Sequence, residues 1–182
     1  PNAGAHYHLE GKDPAFVKAR VAELLKGDYI YPSSENGTPL KSRPYHHPAF
    51  IATLRDLYFT SPRRAVAVRY AGRFTSVIKE GHGKEEPEIP WSMLGVISVA
   101  VYSSLEEWKS GQRVKLKDFK SEAYEGIFNL AMEFLRNIQT KSPTRVHRAL
   151  ADLYALVSPD TLSNQAAIAN QLEDFDVDAM PE

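Results

Sequence analysis

The sequence predicts an all-α fold of six to seven helices packed around one central buried helix. Three observations carry this: a mid-chain apolar segment with no polar stripe, helix-start signals on both sides of it, and apolar residues at helical spacing after each start. The segment is EIPWSMLGVISVAVYSSLEEWKSG, residues 88–111. Between Ile89 and Leu105 the one ionisable side chain is Tyr102. Trp91, Met93, Leu94, Val96, Ile97, Val99, Val101, Tyr102 and Leu105 point to every side of a helix. A helix apolar all round lies inside a core or a membrane. The charge-free run is 17 residues, diluted by Pro90, Gly95 and four serines. A membrane span needs roughly 20 predominantly apolar residues. A buried helix at about 90–109 is therefore expected, with Pro90 in its first position and Gly111 at its C-cap.

The other elements follow in order. Asp13-Pro14 joins an N-cap acid to a first-turn proline, and Phe16, Val17, Val21, Leu24 and Leu25 recur at helical spacing. The first helix is about 14–26, with Gly27 closing it. Residues 28–45 hold three prolines and Asn36-Gly37 and form a loop whose start is pinned to the core by Tyr29, Ile30 and Tyr31. His47-Pro48 opens a second helix with Phe50, Ile51, Leu54, Leu57 and Tyr58 on one face, ending near Phe59. Ser61-Pro62 starts a short element through Ala65, Val66, Val68 and Tyr70 that reads as helix or strand. Residues 75–89 are a polar loop. After the central helix a basic connector reaches Ser121, expected as N-cap of a helix carrying Tyr124, Ile127, Phe128, Ala131, Phe134, Leu135 and Ile138 to about Thr140. Ser142-Pro143 begins another, with Val146, Leu150, Leu153, Tyr154 and Val157 inward, stopped by Ser158-Pro159. A more polar helix is expected at about 160–173. The domain is thus 13–173, after an N-terminal extension of 1–12 and before an acidic tail, 174–182, expected to be poorly ordered. No repeat of 20–50 residues is present, which argues against a solenoid.

A chain of 182 residues suffices for one domain with a sizeable core. Its 43% apolar and 25% charged content is that of a folded globular protein. Cysteine is absent, which excludes disulfides, thiolate zinc sites and cysteine nucleophiles. It also suits a reducing compartment, nuclear or cytoplasmic. The opening PNAGAHYHLEGKD lacks the basic start and apolar run of a secretory signal, and its first residue is what a trimmed or excised fragment would show.

Charge is uneven along the chain. The formal net charge is −1, yet residues 41–79 carry eight Lys and Arg against Asp56 alone, a local +7. Such a segment can bind polyanions in a nearly neutral chain. The candidate nucleic-acid contacts are Lys41, Arg43, His46, His47, Arg63, Arg64, Arg69 and Arg73. They are interleaved with Tyr45, Tyr58, Tyr70 and Phe74, the combination used for phosphate contacts and base stacking. The competing reading is that these aromatics are core and that the cations pair with the glutamates of 80–88, the acidic tail or a partner protein.

Catalytic signatures are missing. There is no phosphate-binding glycine loop followed by Lys-Ser/Thr, no dinucleotide glycine fingerprint, no His-Glu-x-x-His and no Gly-x-Ser-x-Gly. Gly81-His82-Gly83-Lys84 follows a polar loop, whereas phosphate chemistry needs a strand before it and a helix after. Among the six histidines, His6/His8 and His46/His47 are spaced wrongly to share a helix face, and no His-x-x-x-His or Glu-x-x-His pair starts a metal site. His147, near Arg145 and Arg148, reads as a surface or boundary residue. Glu85, Glu86 and Glu88, like Glu106 and Glu107, read as solvated. No catalytic residue, metal or cofactor is expected.

One set of residues carries a resemblance. Tyr29-Ile30-Tyr31-Pro32, Tyr45-His46-His47-Pro48 with Leu54 and Tyr58-Phe59, Ile89-Pro90, Ala100-Val101-Tyr102, Leu105-Glu106-Glu107-Trp108 with Gly111, then Phe119 and Tyr124, resemble a family of uncharacterised domains found in many copies in mushroom-forming basidiomycete fungi. The resemblance covers roughly residues 17–157. It implies a helical domain, a fungal origin, no established activity or site residues, and attachment to low-complexity segments in nuclear proteins. The expectation is a non-enzymatic binding module associated with nucleic acid through residues 41–73. The alternatives are a protein-interaction or self-associating scaffold domain, and an enzyme whose site is assembled from distant His and carboxylates. No membrane partner is expected.

Overall fold

The computed structural model describes residues 2–60, 70–76, 78, 86–116 and 120–158. Among these are six α-helices and no strand beyond an isolated bridge between Ser33 and Pro39. The helices are α1 (Ala3–His6), α2 (Pro14–Leu24), α3 (Pro48–Leu54), α4 (Trp91–Glu106), α5 (Ser121–Lys141) and α6 (Pro143–Val157). A π-helical turn, Arg55–Phe59, prolongs α3, and 3₁₀ turns occupy Asp28–Ile30 and Ala71–Arg73. The element expected from Ser61 to Tyr70 falls largely, and the last helix and acidic tail wholly, outside the described residues.

The helix starts follow their local chemistry. The Asp13 carboxylate accepts the N–H groups of Ala15 at 2.9 Å and Phe16 at 3.1 Å, satisfying two of the donors that a helix start leaves unpaired. Pro143 begins α6 as expected. Pro90 sits one position earlier than expected, as the N-cap of α4, its carbonyl accepting from Met93 at 3.0 Å. Ser121 is the first helical residue of α5, after Lys120. The stops come earlier than expected, with Leu25 and not Gly27 as the C-cap of α2 and Glu107 and not Gly111 as that of α4; the two glycines close the turns that follow, with φ of 119° and 98°, a region that costs a residue with a Cβ. At Gly111 space is a second reason, since a Cβ there would run into the Pro14 carbonyl, where the end of α4 meets the start of α2.

The centre of the fold is α4. It packs most extensively on α5 and also meets α3 and α1, while α6 closes the bundle against α3 and α5. Leu94, Ile97, Val101 and Leu105 are completely buried. Phe50 fills the space beside them, its ring 5.9 Å from Tyr29 and 5.6 Å from Tyr45. Two expectations need correcting. Residues 3–9 are core rather than extension: Ala3, Tyr7 and Leu9 are buried, and the Tyr7 hydroxyl donates to the Tyr29 carbonyl at 2.7 Å. A four-residue helix is too short for periodicity to register it. Nor is α4 enclosed on every side. Val96 is 45% exposed, and Val99, Ala100 and Ser103 on the same stripe are half-buried. No helix among the described residues is long and apolar enough to cross a membrane.

Candidate functional site

Five of the eight candidate nucleic-acid contacts, Lys41, Arg43, His46, His47 and Arg73, fall among the described residues. Arg63, Arg64 and Arg69 lie outside them. Lys41 is exposed, but its ammonium pairs with the Asp28 carboxylate and sits 4.9 Å above the Tyr31 ring. Arg55 is turned inward, donating from Nη2 to the Leu156 carbonyl at 3.0 Å. Arg43 and Arg73 are exposed. His46 and His47 are buried, at 8% and 5% exposure, and serve the backbone. His47 Nδ1 accepts the Ala49 N–H at 3.2 Å and so caps α3, while its ring stacks on Tyr7 with centroids 4.1 Å apart. His46 Nδ1 lies 2.9 Å from the Pro44 carbonyl, to which it donates. Burial pushes both rings below the usual histidine range, His47 to about 4, helped there by His6, Arg20 and His8. Neither ring is a cation at neutral pH, so neither offers a phosphate the charge expected of it.

A pH dependence follows. Below about pH 6.5 the unfolded chain protonates His47, whereas the folded chain accepts that proton only near pH 4. Stability is therefore complete above pH 6.5, falls as the pH drops through this window and has lost the full contribution below it. A loss of about 2–3 kcal/mol is expected from this group. Urea unfolding at pH 7, 5.5 and 4 measures it. His47→Asn, which keeps a capping side chain and removes the titration, should flatten the slope; an unchanged slope contradicts the assignment.

One buried polar cluster was not legible in the sequence. Glu88 is 2% exposed, and its Oε1 lies 2.7 Å from His147 Nδ1 and accepts the Ser76 hydroxyl at 3.0 Å. His147 is buried too, with Nε2 3.8 Å from Oε2 of the half-exposed Glu86. The sequence reads Glu88 as solvated and His147 as a surface or boundary residue, and burial of both is the correction. Glu88 is buried because its partners come from the 70–76 segment and from α6, 12 and 59 residues away. The composition is that of a serine triad, but the geometry is not. Ser76 and Glu88 converge on the same ring nitrogen, and Ser76 donates to the carboxylate instead of facing a base. A nucleophile needs the ring nitrogen opposite the carboxylate, and that nitrogen faces Glu86. With the hydrogen bond from Ile89 N to the Leu150 carbonyl at 3.3 Å, the cluster ties the segment entering α4 to α6. Among the described residues no three His, Asp or Glu gather as metal ligands.

A recess lies on the open side of α4. A groove of about 710 Å³ runs between Val96, Val99, Ala100 and Ser103 of α4 and Ser121, Glu122, Tyr124, Glu125 and Phe128 of α5. Beside it α5 lays the Phe128 ring directly on Gly95, where a Cβ would stand 2.6 Å from the ring. The walls are mainly apolar, and among the described residues no cation lines them and the exposed Glu122 and Glu125 are the carboxylates. Tyr124 donates to Glu106 Oε2 at 2.9 Å. Burial, then the hydrogen bond and charge of Glu106, push its phenol up to about 12, so it stays protonated and fixed in place. The spacing of Val96, Val99, Ala100 and Ser103 is one helical stripe, visible in the sequence as apolar but not as uncovered.

Neither the curated proteins nor the solved structures give a match to this chain. A family model described as Domain of unknown function (DUF6532) matches residues 1–138, which include the whole α4/α5 groove and stop short of α6. The match covers α1 to α4 and nearly all of α5, and on that ground the chain belongs to the DUF6532 family.

Proposed function

We propose that this domain is a non-enzymatic protein-interaction module whose α4/α5 groove receives an amphipathic helix of a partner, apolar face inward and Lys or Arg toward Glu122 and Glu125. The observation that carries the reading is the open stripe of α4, where Val96 stays 45% exposed although the residues beside it form the core. Helix-in-groove recognition uses such an apolar trough, with charges at the rim setting partner choice. The nucleic-acid reading keeps two supports, the local +7 of residues 41–79 and the exposed Arg43 and Arg73. A basidiomycete source and a nuclear or cytoplasmic setting also belong to this proposal and rest on the family resemblance.

Fluorescence anisotropy with three labelled probes tests it: an amphipathic helical peptide bearing lysines, the same peptide bearing glutamates, and a duplex oligonucleotide. The lysine peptide should bind about tenfold or more tighter than the glutamate peptide, and Ala100→Trp, which fills the groove, should abolish its binding. Equal binding of the two peptides overturns the groove reading. So does oligonucleotide binding that weakens steeply with salt while neither peptide binds, since phosphate contacts release counterions.

A further inference from the structure

We propose that a second recess, between α5, α6 and the 41–45 loop, is a binding site for a small apolar carboxylate, an amphiphile with an alkyl or aryl body and an anionic head. The recess holds about 310 Å³, at the low end of ligand cavities of about 300–1,000 Å³. At about 30 Å³ per water-sized atom, that is room for about ten non-hydrogen atoms. Its floor is apolar and solid: Tyr45, Leu135, Leu150 and Leu153 line it and are themselves buried.

The charged residues of its wall are Lys41 and Arg145, with no carboxylate among the lining residues. Lys41 is already neutralised by Asp28. Arg145 is exposed, and among the described residues no carboxylate pairs with its guanidinium at the mouth of the recess. A guanidinium presents a planar fork of donors that matches a carboxylate, which is why the head group is assigned as that anion. Ser42 and Tyr31 also line the recess.

A second, independent observation falls on the same wall. Tyr45 has φ of 63°, a left-handed conformation that is uncommon for a bulky residue and costs about 1–3 kcal/mol. The conformation seats its ring between Phe50 and Phe134, centroids 5.6 and 6.0 Å away, and its hydroxyl reaches the Ala131 carbonyl at 3.4 Å, a long hydrogen bond. The strained residue thus forms part of the recess and holds the loop bearing Lys41 and Ser42 beside α5 and α6. Strain of this kind concentrates at ligand clamps.

The test is isothermal titration of the full chain with octanoate, octanol and octylammonium, three ligands of similar size that differ in head-group charge. Octanoate should bind saturably at one site, about tenfold tighter than octanol, with octylammonium weakest. Arg145→Gln should bring octanoate down to the octanol level and leave octanol unchanged. Ala149→Leu, which adds volume to the recess wall, should remove binding of both. The exposed Arg145 can be changed without disturbing the core, so that variant decides the matter even if Ala149→Leu fails to fold. Octanoate binding no tighter than octanol, or unaltered by Arg145→Gln, overturns the proposal. The groove variant Ala100→Trp should leave octanoate binding intact, which separates this site from the α4/α5 groove.

Discussion

Replacing His147 by alanine is expected to lower the free energy of unfolding by about 3–5 kcal/mol, the cost of breaking a buried, hydrogen-bonded polar pair from one side. The carboxylate of Glu88, 2% exposed, would keep the Ser76 hydroxyl and lose the ring nitrogen 2.7 Å away. Total stabilities of domains are about 5–15 kcal/mol, so the variant is expected to be partly unfolded at 37 °C in a chain of this kind. The double variant Glu88→Leu/His147→Leu separates pairing from packing. Removing both partners leaves no buried carboxylate stripped of its ring partner, only the smaller cost of the Ser76 hydroxyl that donated to it, and part of the loss should be recovered. Urea unfolding followed by circular dichroism reads all of these. A loss below about 1 kcal/mol for His147→Ala, or a double variant worse than the single one, contradicts the cluster's role as the clamp between the α4 entry and α6.

The parts of this structure written in short-range chemistry were legible in the sequence. Asp13-Pro14 and His47-Pro48 begin helices where a capping side chain and a proline favour them, Pro143 begins another without a side-chain cap from Ser142, and Gly27 and Gly111 close turns where a positive φ is needed. Features that depend on residues far apart in the chain were not. Glu88 stands two residues from Glu86 and looks like its neighbour, yet one is buried and the other half-exposed, because Ser76 and His147 reach only Glu88 closely. His47 was read as a possible phosphate contact because a capping imidazole and a surface one are the same letters; only the Ala49 N–H and the Tyr7 ring distinguish them. The groove was hidden for a related reason. Val96 and Ile97 carry the same hydrophobic signal, and nothing local says which of them the rest of the chain will cover.

That distinction yields the other large effect. Ile97 is fully buried in the face of α4 that meets the core, and Ile97→Glu would place a carboxylate there with no partner. Burying an unpaired charge costs several kcal/mol, a large share of the stability of a domain, and the variant is expected not to fold. Val96, the next residue, is 45% exposed in the groove, and Val96→Glu is expected to change stability by no more than about 0.5–1 kcal/mol while abolishing binding of the lysine-bearing peptide's apolar face. The direct measurement is the urea midpoint of these two single variants beside the parent chain. A folded Val96→Glu protein with a nearly unchanged midpoint, and an Ile97→Glu protein with no cooperative transition, is what a helix buried on one side and open on the other predicts. Equal destabilisation by the two would mean that the groove is closed in solution and that the surface assigned to partner binding is core.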